Sequence, residues 1–93
     1  PEYVIRGNHA HKNLEQLFVP IKGCFDIKLD DGSKSMIYHL DSNDKGLYVS
    51  SMIWRQMFNF SKNSICLVIA SEMYSEDDYI RDYEEFVRSL DKS

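Results

Sequence analysis

Apolar and polar residues alternate along most of the chain up to Ala70, and beyond it the apolar positions recur at helical spacing. The clearest alternation is Phe25, Ile27 and Leu29 against Asp26, Lys28 and Asp30, which predicts a half-buried strand. Asp31-Gly32 follows, a strong short hairpin signal. The return strand carries Met36, Tyr38 and Leu40 on one face, so His39 points away from it. Upstream, Tyr3 to Lys12 and Leu14 to Lys22 read as two strands, the second closed by Gly23. Downstream, Asp41 to Gly46 is a polar turn, and Leu47 to Val49 and Ile53 to Phe60 are strands around Ser50-Ser51. After the turn Ser61 to Asn63, Ile65 to Ala70 is continuously apolar and rich in β-branched residues, the pattern of a strand covered on both faces. From Ser71 the character changes. Ser75-x-x-Asp78 resembles a capping box, and Ile80, Tyr83, Val87 and Leu90 make a helical stripe with a solvated acidic face between them. Tyr74, Tyr79 and Tyr83 are expected to pack this helix. The fold class predicted is mainly β, an antiparallel sandwich or barrel with a C-terminal α-helix.

Length and charge narrow the class. The chain has 93 residues, enough for one domain with a modest core. A net charge of −4 without a basic cluster argues against nucleic acid as a partner. No apolar run is long enough to span a bilayer and no signal-peptide pattern is present, so no membrane partner is expected. Cys24 and Cys66 sit in strand-like runs and make no disulfide framework, which suits reduced thiols in the cytoplasm. The chain begins at Pro1 and enters a strand pattern almost at once, which suggests a trimmed form of something longer. A small sheet protein with exposed edge strands gains by pairing with a copy of itself, so a homodimer is expected.

The candidate chemistry lies in Arg6-Gly7-Asn8-His9-Ala10-His11-Lys12. Residues i and i+2 of a strand share a face, so His9 and His11 project side by side, with Tyr3 and Ile5 on that face if the strand is unbroken. Two imidazoles titrating near neutrality on one face suit proton transfer or metal binding. Strict alternation puts Arg6 on the opposite face; only an irregularity near Gly7 turns it inward.

Gly7-Asn8-His9-Ala10-His11 followed by Glu15 resembles the first motif of the cupin superfamily, in which HxH and a later Glu bind a metal inside a small jelly-roll barrel. The second cupin motif supplies a third histidine; aligned from Gly46, the corresponding positions here hold Met52, Trp54 and Met57. A thioether is a poor ligand for the ions such sites hold, so no metal and no other cofactor is expected. Arg55 shares a strand face with Met57 and is expected to point into the same cavity as the histidines, where a fixed cation binds an anionic group or an oxyanion.

A tighter resemblance is carried by Arg6 to Lys12, by Leu29-Asp30-Asp31-Gly32, by Gly46-Leu47-Tyr48-Val49 with Met52-Ile53-Trp54-Arg55-Gln56-Met57, and by Ala70-Ser71-Glu72 with Asp77 to Tyr83. Together these resemble the TDP-4-keto-6-deoxyglucose 3,4-ketoisomerases of the WxcM-like type. The resemblance implies a single cupin-type jelly roll over residues 1–93, without the strands that family members carry upstream of the histidine motif. It implies a metal-free homodimer that moves a keto group between C4 and C3 of a thymidine-diphosphate keto-sugar, a step of deoxysugar biosynthesis for cell-surface polysaccharides. By the family pattern His9 is the base for the C3 proton, and His11 relays or returns a proton or holds His9 in its useful tautomer. Arg6 and Arg55 are candidate substrate-binding residues. Tyr48 and Trp54 either stack on thymine and wall the sugar or belong to the core. Glu15 is a polar wall of the pocket or a leftover of the metal site. Two alternatives stay open: a non-catalytic nucleotide-sugar binding cupin, and a metal-dependent cupin using His9, His11 and Glu15.

Overall fold

The structure is a computed structural model and describes residues 5–91. Its strands are β1 (Arg6–His11), β2 (Gln16–Lys22), β3 (Phe25–Asp30), β4 (Ser35–Leu40), β5 (Leu47–Val49), β6 (Trp54–Phe58), β7 (Ile65–Ala70) and β8 (Tyr79–Ile80), followed by helix α1 (Tyr83–Asp91). They form a five-stranded sheet in the order β4-β3-β6-β1-β8 and a three-stranded sheet in the order β5-β2-β7. Phe18, Val49, Phe25, Ile27 and Leu40 close the space between the sheets. This is the mainly β architecture with a C-terminal helix that the pattern predicts, and its two facing sheets are compatible with the jelly roll that the resemblance implies. Among the described residues no strand pairing joins the two sheets into a closed barrel.

The β3–β4 hairpin keeps the predicted face: Phe25, Ile27 and Leu29 oppose Leu40, Tyr38 and Met36. Its turn is held by the Asp31 carboxylate, which accepts from the Ser33 and Lys34 amides at 2.8 and 2.7 Å. Asp26 and His39 lie on the other face, where Asp26 Oδ1 meets the exposed imidazole at 2.6 Å.

Three expectations change. The first strand is not regular. Arg6 opposes Met57 and His9 opposes Arg55, so three residue steps on β1 span two on β6. The extra residue is a bulge at Gly7 and Asn8, with φ of 95° and 37°. Bulging restores parity, and Arg6 shares the inward face with His9. Ile5 lies outside β1 and is 54% exposed, while Tyr3 falls outside the described residues.

The second change concerns the end of the chain. Ser75 heads a single 3₁₀ turn (Glu76–Asp78) without a side-chain cap bond, and the helix starts only at Tyr83. Asp82 caps it, accepting from the Glu84 amide at 3.2 Å. Ile80 is therefore a strand residue, paired with Ala10 and buried against Trp54 and Phe86. The helical spacing of Ile80 with Tyr83 and Val87 arises because one apolar patch takes residues from both β8 and α1.

The third change is β7. Its bounds are as predicted, but Ile65, Leu67, Val68 and Ile69 are 42–53% exposed, so the described chain leaves both faces of this edge strand partly open. Among the described residues no helix is long and apolar enough to cross a membrane.

Helix α1 docks through Phe86, which is fully buried against Trp54. Phe86→Ala is expected to cost about 3–5 kcal/mol, by lost transfer energy plus a cavity. Urea unfolding checks it; a loss under 1 kcal/mol would mean the helix is not held by this contact.

Candidate active site

The site lies on the inner face of β1, β6 and β8. His9 is placed opposite Arg55 by strand register, and His11 opposite Tyr79. The His9 and His11 rings stand edge to face, with centroids 4.8 Å apart. The Tyr79 ring closes on both, 4.9 Å from His9 and 4.3 Å from His11. The expected side-by-side pair is present, although the strand reaches it through a bulge.

The bulge does more than set parity. It turns the Gly7 carbonyl onto His9 Nδ1, which donates to it. A carbonyl only accepts, so Nδ1 carries the proton and Nε2 is left as the basic nitrogen. His11 Nδ1 lies 3.1 Å from Asp78 Oδ2, and among the described residues its buried Nε2 has no hydrogen-bond partner.

Arg55 is 1% exposed, with its guanidinium donating to Gln16 Oε1 of the facing sheet and to the Ile53 carbonyl at 2.9 Å. Its Nε is buried and unpartnered among the described residues. Burial brings Arg55 down to about 10, still charged at neutral pH. Burial first, then the Arg55 charge and the neighbouring His11, hold His9 down to about 4 despite its bond to Gly7. His11 is lowered for the same first reasons, opposed by its bond to Asp78. Both imidazoles are therefore neutral at pH 7, the form that accepts a proton.

The other expected residues are distributed less compactly. Arg6 sits on the inward face by register but is exposed. Glu15 is exposed and accepts from the Tyr48 hydroxyl. It does not join the histidines: among the described residues no group of three His, Cys, Asp or Glu is arranged to hold a metal. The His9, His11 and Glu15 set of a cupin metal site is not assembled among the described residues. Trp54 corrects the expectation of a substrate wall. It is 7% exposed on the face opposite Arg55 and packs on Tyr83 and Phe86 under the helix. Tyr83 packs there as expected, but Tyr79 belongs to the site.

Asp78 and Tyr79 join the site although the sequence pattern marks one as a cap and the other as helix packing. The Asp77 to Tyr83 segment contained both, yet helical periodicity hid the short strand that brings them to the histidines. Gln16 is the third addition, as the inter-sheet partner of Arg55. Beside the site, Leu29 opposes Arg55 across the strands and lines a cleft of about 580 Å³ with Met36, Tyr38, Tyr48, Val49 and Ile53.

The electrostatics give an internally controlled test. By NMR titration His9 is expected near 4. His39, raised chiefly by its bond to Asp26, should titrate above 6.5. Arg55→Gln removes a positive charge that disfavours both site imidazolium ions, so His9 and His11 midpoints should rise while that of His39 stays put. A downward shift, or none, contradicts the arrangement.

Residues 1–91 match the family model described as WxcM-like, C-terminal (FdtA). A curated relative, the TDP-4-oxo-6-deoxy-alpha-D-glucose-3,4-oxoisomerase of Aneurinibacillus thermoaerophilus, is 44% identical over 87 residues, covering 94% of this chain and 63% of its own. Among solved structures, a mutant of the 3,4-ketoisomerase QdtA of Thermoanaerobacterium thermosaccharolyticum, in complex with TDP-4-keto-6-deoxyglucose, is 35% identical with a TM-score of 0.96, covering 99% of this chain and 67% of that one. The TDP-quinovose 3,4-ketoisomerase WlaRB of Campylobacter jejuni is 44% identical with a TM-score of 0.90, covering 95% and 68%. The chain thus spans somewhat under two-thirds of the length of its curated relative, and with nearly all of its residues matched to the family model, it belongs to the WxcM-like, C-terminal family.

Proposed function

We propose that the chain carries the acid–base half of a ketoisomerase acting on a thymidine-diphosphate 4-keto-6-deoxyhexose. The observation that supports this best is His9 placed opposite a buried Arg55, with a basic Nε2 on a neutral ring. The relatives named as ketoisomerases supply the substrate class. His9 Nε2 takes the proton from C3, and that C–H electron pair forms the C3=C4 bond of an enediolate, with negative charge on O4. Arg55 faces that charge. His9 returns the proton to C4, His11 passes the O3 hydroxyl proton to O4, and C3 becomes the carbonyl. Atoms and charge balance without a cofactor. Positioned acid–base groups give ~10²–10⁴-fold, and a preorganised cation at the oxyanion adds to this.

Arg6 is a second cation on the inward face, suited to the anionic part of the substrate, and Tyr48 with the 580 Å³ cleft offers space for a ligand of this size. Glu15 acts through Tyr48 as part of that wall. We place the protein in the cytoplasm, where its free Cys24 and Cys66 thiols stay reduced.

Incubation with TDP-4-keto-6-deoxyglucose in D₂O should yield a 3-keto product, with deuterium at C4 in proportion to the exchange of the His9-held proton with solvent before its return. His9→Asn should lower turnover by ~10²–10⁴-fold with circular dichroism unchanged. Binding by calorimetry with neither product nor exchange would favour the binding-module reading.

We further infer a homodimer. The exposed apolar residues of β7 on an open sheet edge support it. Sedimentation at micromolar concentration should give a dimer; a clean monomer overturns it.

A further inference from the structure

Resting on the isomerase reading, we propose that Asp78 is the positioning residue that holds His11 with Nδ1 protonated and Nε2 bare, and that its carboxylate stabilises the imidazolium formed when Nε2 takes up a proton. The two imidazoles are fixed by different chemistry. His9 donates to a neutral carbonyl, that of Gly7. His11 donates to a carboxylate, Asp78 Oδ2, at 3.1 Å. A carbonyl selects the tautomer but offers only a partial charge to an imidazolium. A carboxylate does both.

Asp78 is itself built into place. It ends the 3₁₀ turn, one residue before the strand that pairs with β1. Its carboxylate accepts from the Asn13 amide at 2.8 Å and the Leu14 amide at 3.2 Å, and its carbonyl accepts from the Lys12 amide at 2.9 Å. The side chain is 10% exposed and His11 is fully buried. Burial raises the carboxyl, but the two amides and His11 outweigh it and hold it below the usual range. An ionised carboxylate only accepts, so the proton between the two groups belongs to His11 Nδ1.

The consequence falls on the relay step. With Nδ1 committed to Asp78, one nitrogen, Nε2, must both receive the O3 proton and deliver it to O4. It is buried and otherwise unpartnered among the described residues, so a substrate hydroxyl is the partner it lacks. In the wrong tautomer Nε2 carries a hydrogen and receives nothing.

Nitrogen-15 NMR of histidine-labelled, ligand-free protein at pH 7 reads this directly. The wild type should show His11 with a protonated Nδ1 and a bare Nε2. In Asp78→Asn, the amide can donate to Nδ1, and His11 should shift toward the Nε2-protonated form while His9, held by Gly7, is unchanged. Turnover should fall by up to ~10²–10⁴-fold with KM nearly constant, and Asp78→Glu should recover part of it. An Nε2-protonated His11 in the wild type overturns the proposal even if the Asn variant does not fold. So does an Asn variant with unchanged tautomer and kcat. If the wild type shows the expected tautomer yet turns over no keto-sugar, the isomerase reading fails and the tautomer assignment stands.

Discussion

One extra residue in β1 decides what the site is. A regular strand through Gly7 and Asn8 would leave Arg6 on the outer face and no carbonyl beneath His9. The bulge places Arg6, His9 and His11 on one face and turns the Gly7 carbonyl onto His9 Nδ1. Position 7 requires glycine for two reasons: its φ is 95°, and a Cβ there would come within 3.0 Å of the Arg55 carbonyl oxygen. Asn8 adopts positive φ as well, at a cost of order 1 kcal/mol, offset by a bond from the Gln56 side chain to its Oδ1 at 2.7 Å. The backbone strain and the chemical asymmetry of the site have the same origin.

The buried cation beside the bulge sets the protonation of everything near it. A guanidinium out of water is tolerated only where its donors are met, and Gln16 and the Ile53 carbonyl meet two of them. Neither of these partners is a carboxylate, so much of its field falls on the imidazoles. On the proposed function, Arg55 would supply both conditions, keeping the imidazoles neutral at pH 7 and facing the oxyanion. The second layer is balanced differently. Arg81 lies over the Tyr79 ring at 4.2 Å, but Glu76 holds it by two hydrogen bonds of 2.9 Å, which limits the positive charge it adds.

Much of this was legible in the sequence because it depends on period-two parity. His9 with His11, Arg55 with Met57, and the outward turn of His39 follow from alternation alone, and each holds in the structure. Two things were hidden. A bulge breaks parity without altering composition, and Gly7 marked its place but not its effect on His9. A two-residue strand carries no periodicity of its own, so Tyr79-Ile80 was absorbed into the helical stripe and Asp78 into a cap. Trp54 was ambiguous for a related reason: its neighbour Arg55 faces the site, so Trp54 must face away, and only the docked helix shows how completely that face is covered. The pattern of β7 correctly marks a strand, but the cover it calls for on both faces is not provided by the described residues.

The same alternation ties the candidate site to stability. Three strands that carry site residues inward each carry a core residue outward, one position away. On β1, Ala10 lies between His9 and His11; on β6, Trp54 precedes Arg55; on β8, Ile80 follows Tyr79. Ala10, Trp54 and Ile80 form one buried patch, closed from behind by Phe86 of α1. The helix therefore fixes the strands whose opposite faces hold the imidazoles, the guanidinium and the tyrosine. Packed interiors deform little, so a contact loosened behind the sheet is transmitted across a single backbone layer. Proton transfer depends on positions set to fractions of an ångström. The apolar patch under the helix is thus as much a determinant of the geometry of the candidate site residues as the bonds they make to one another.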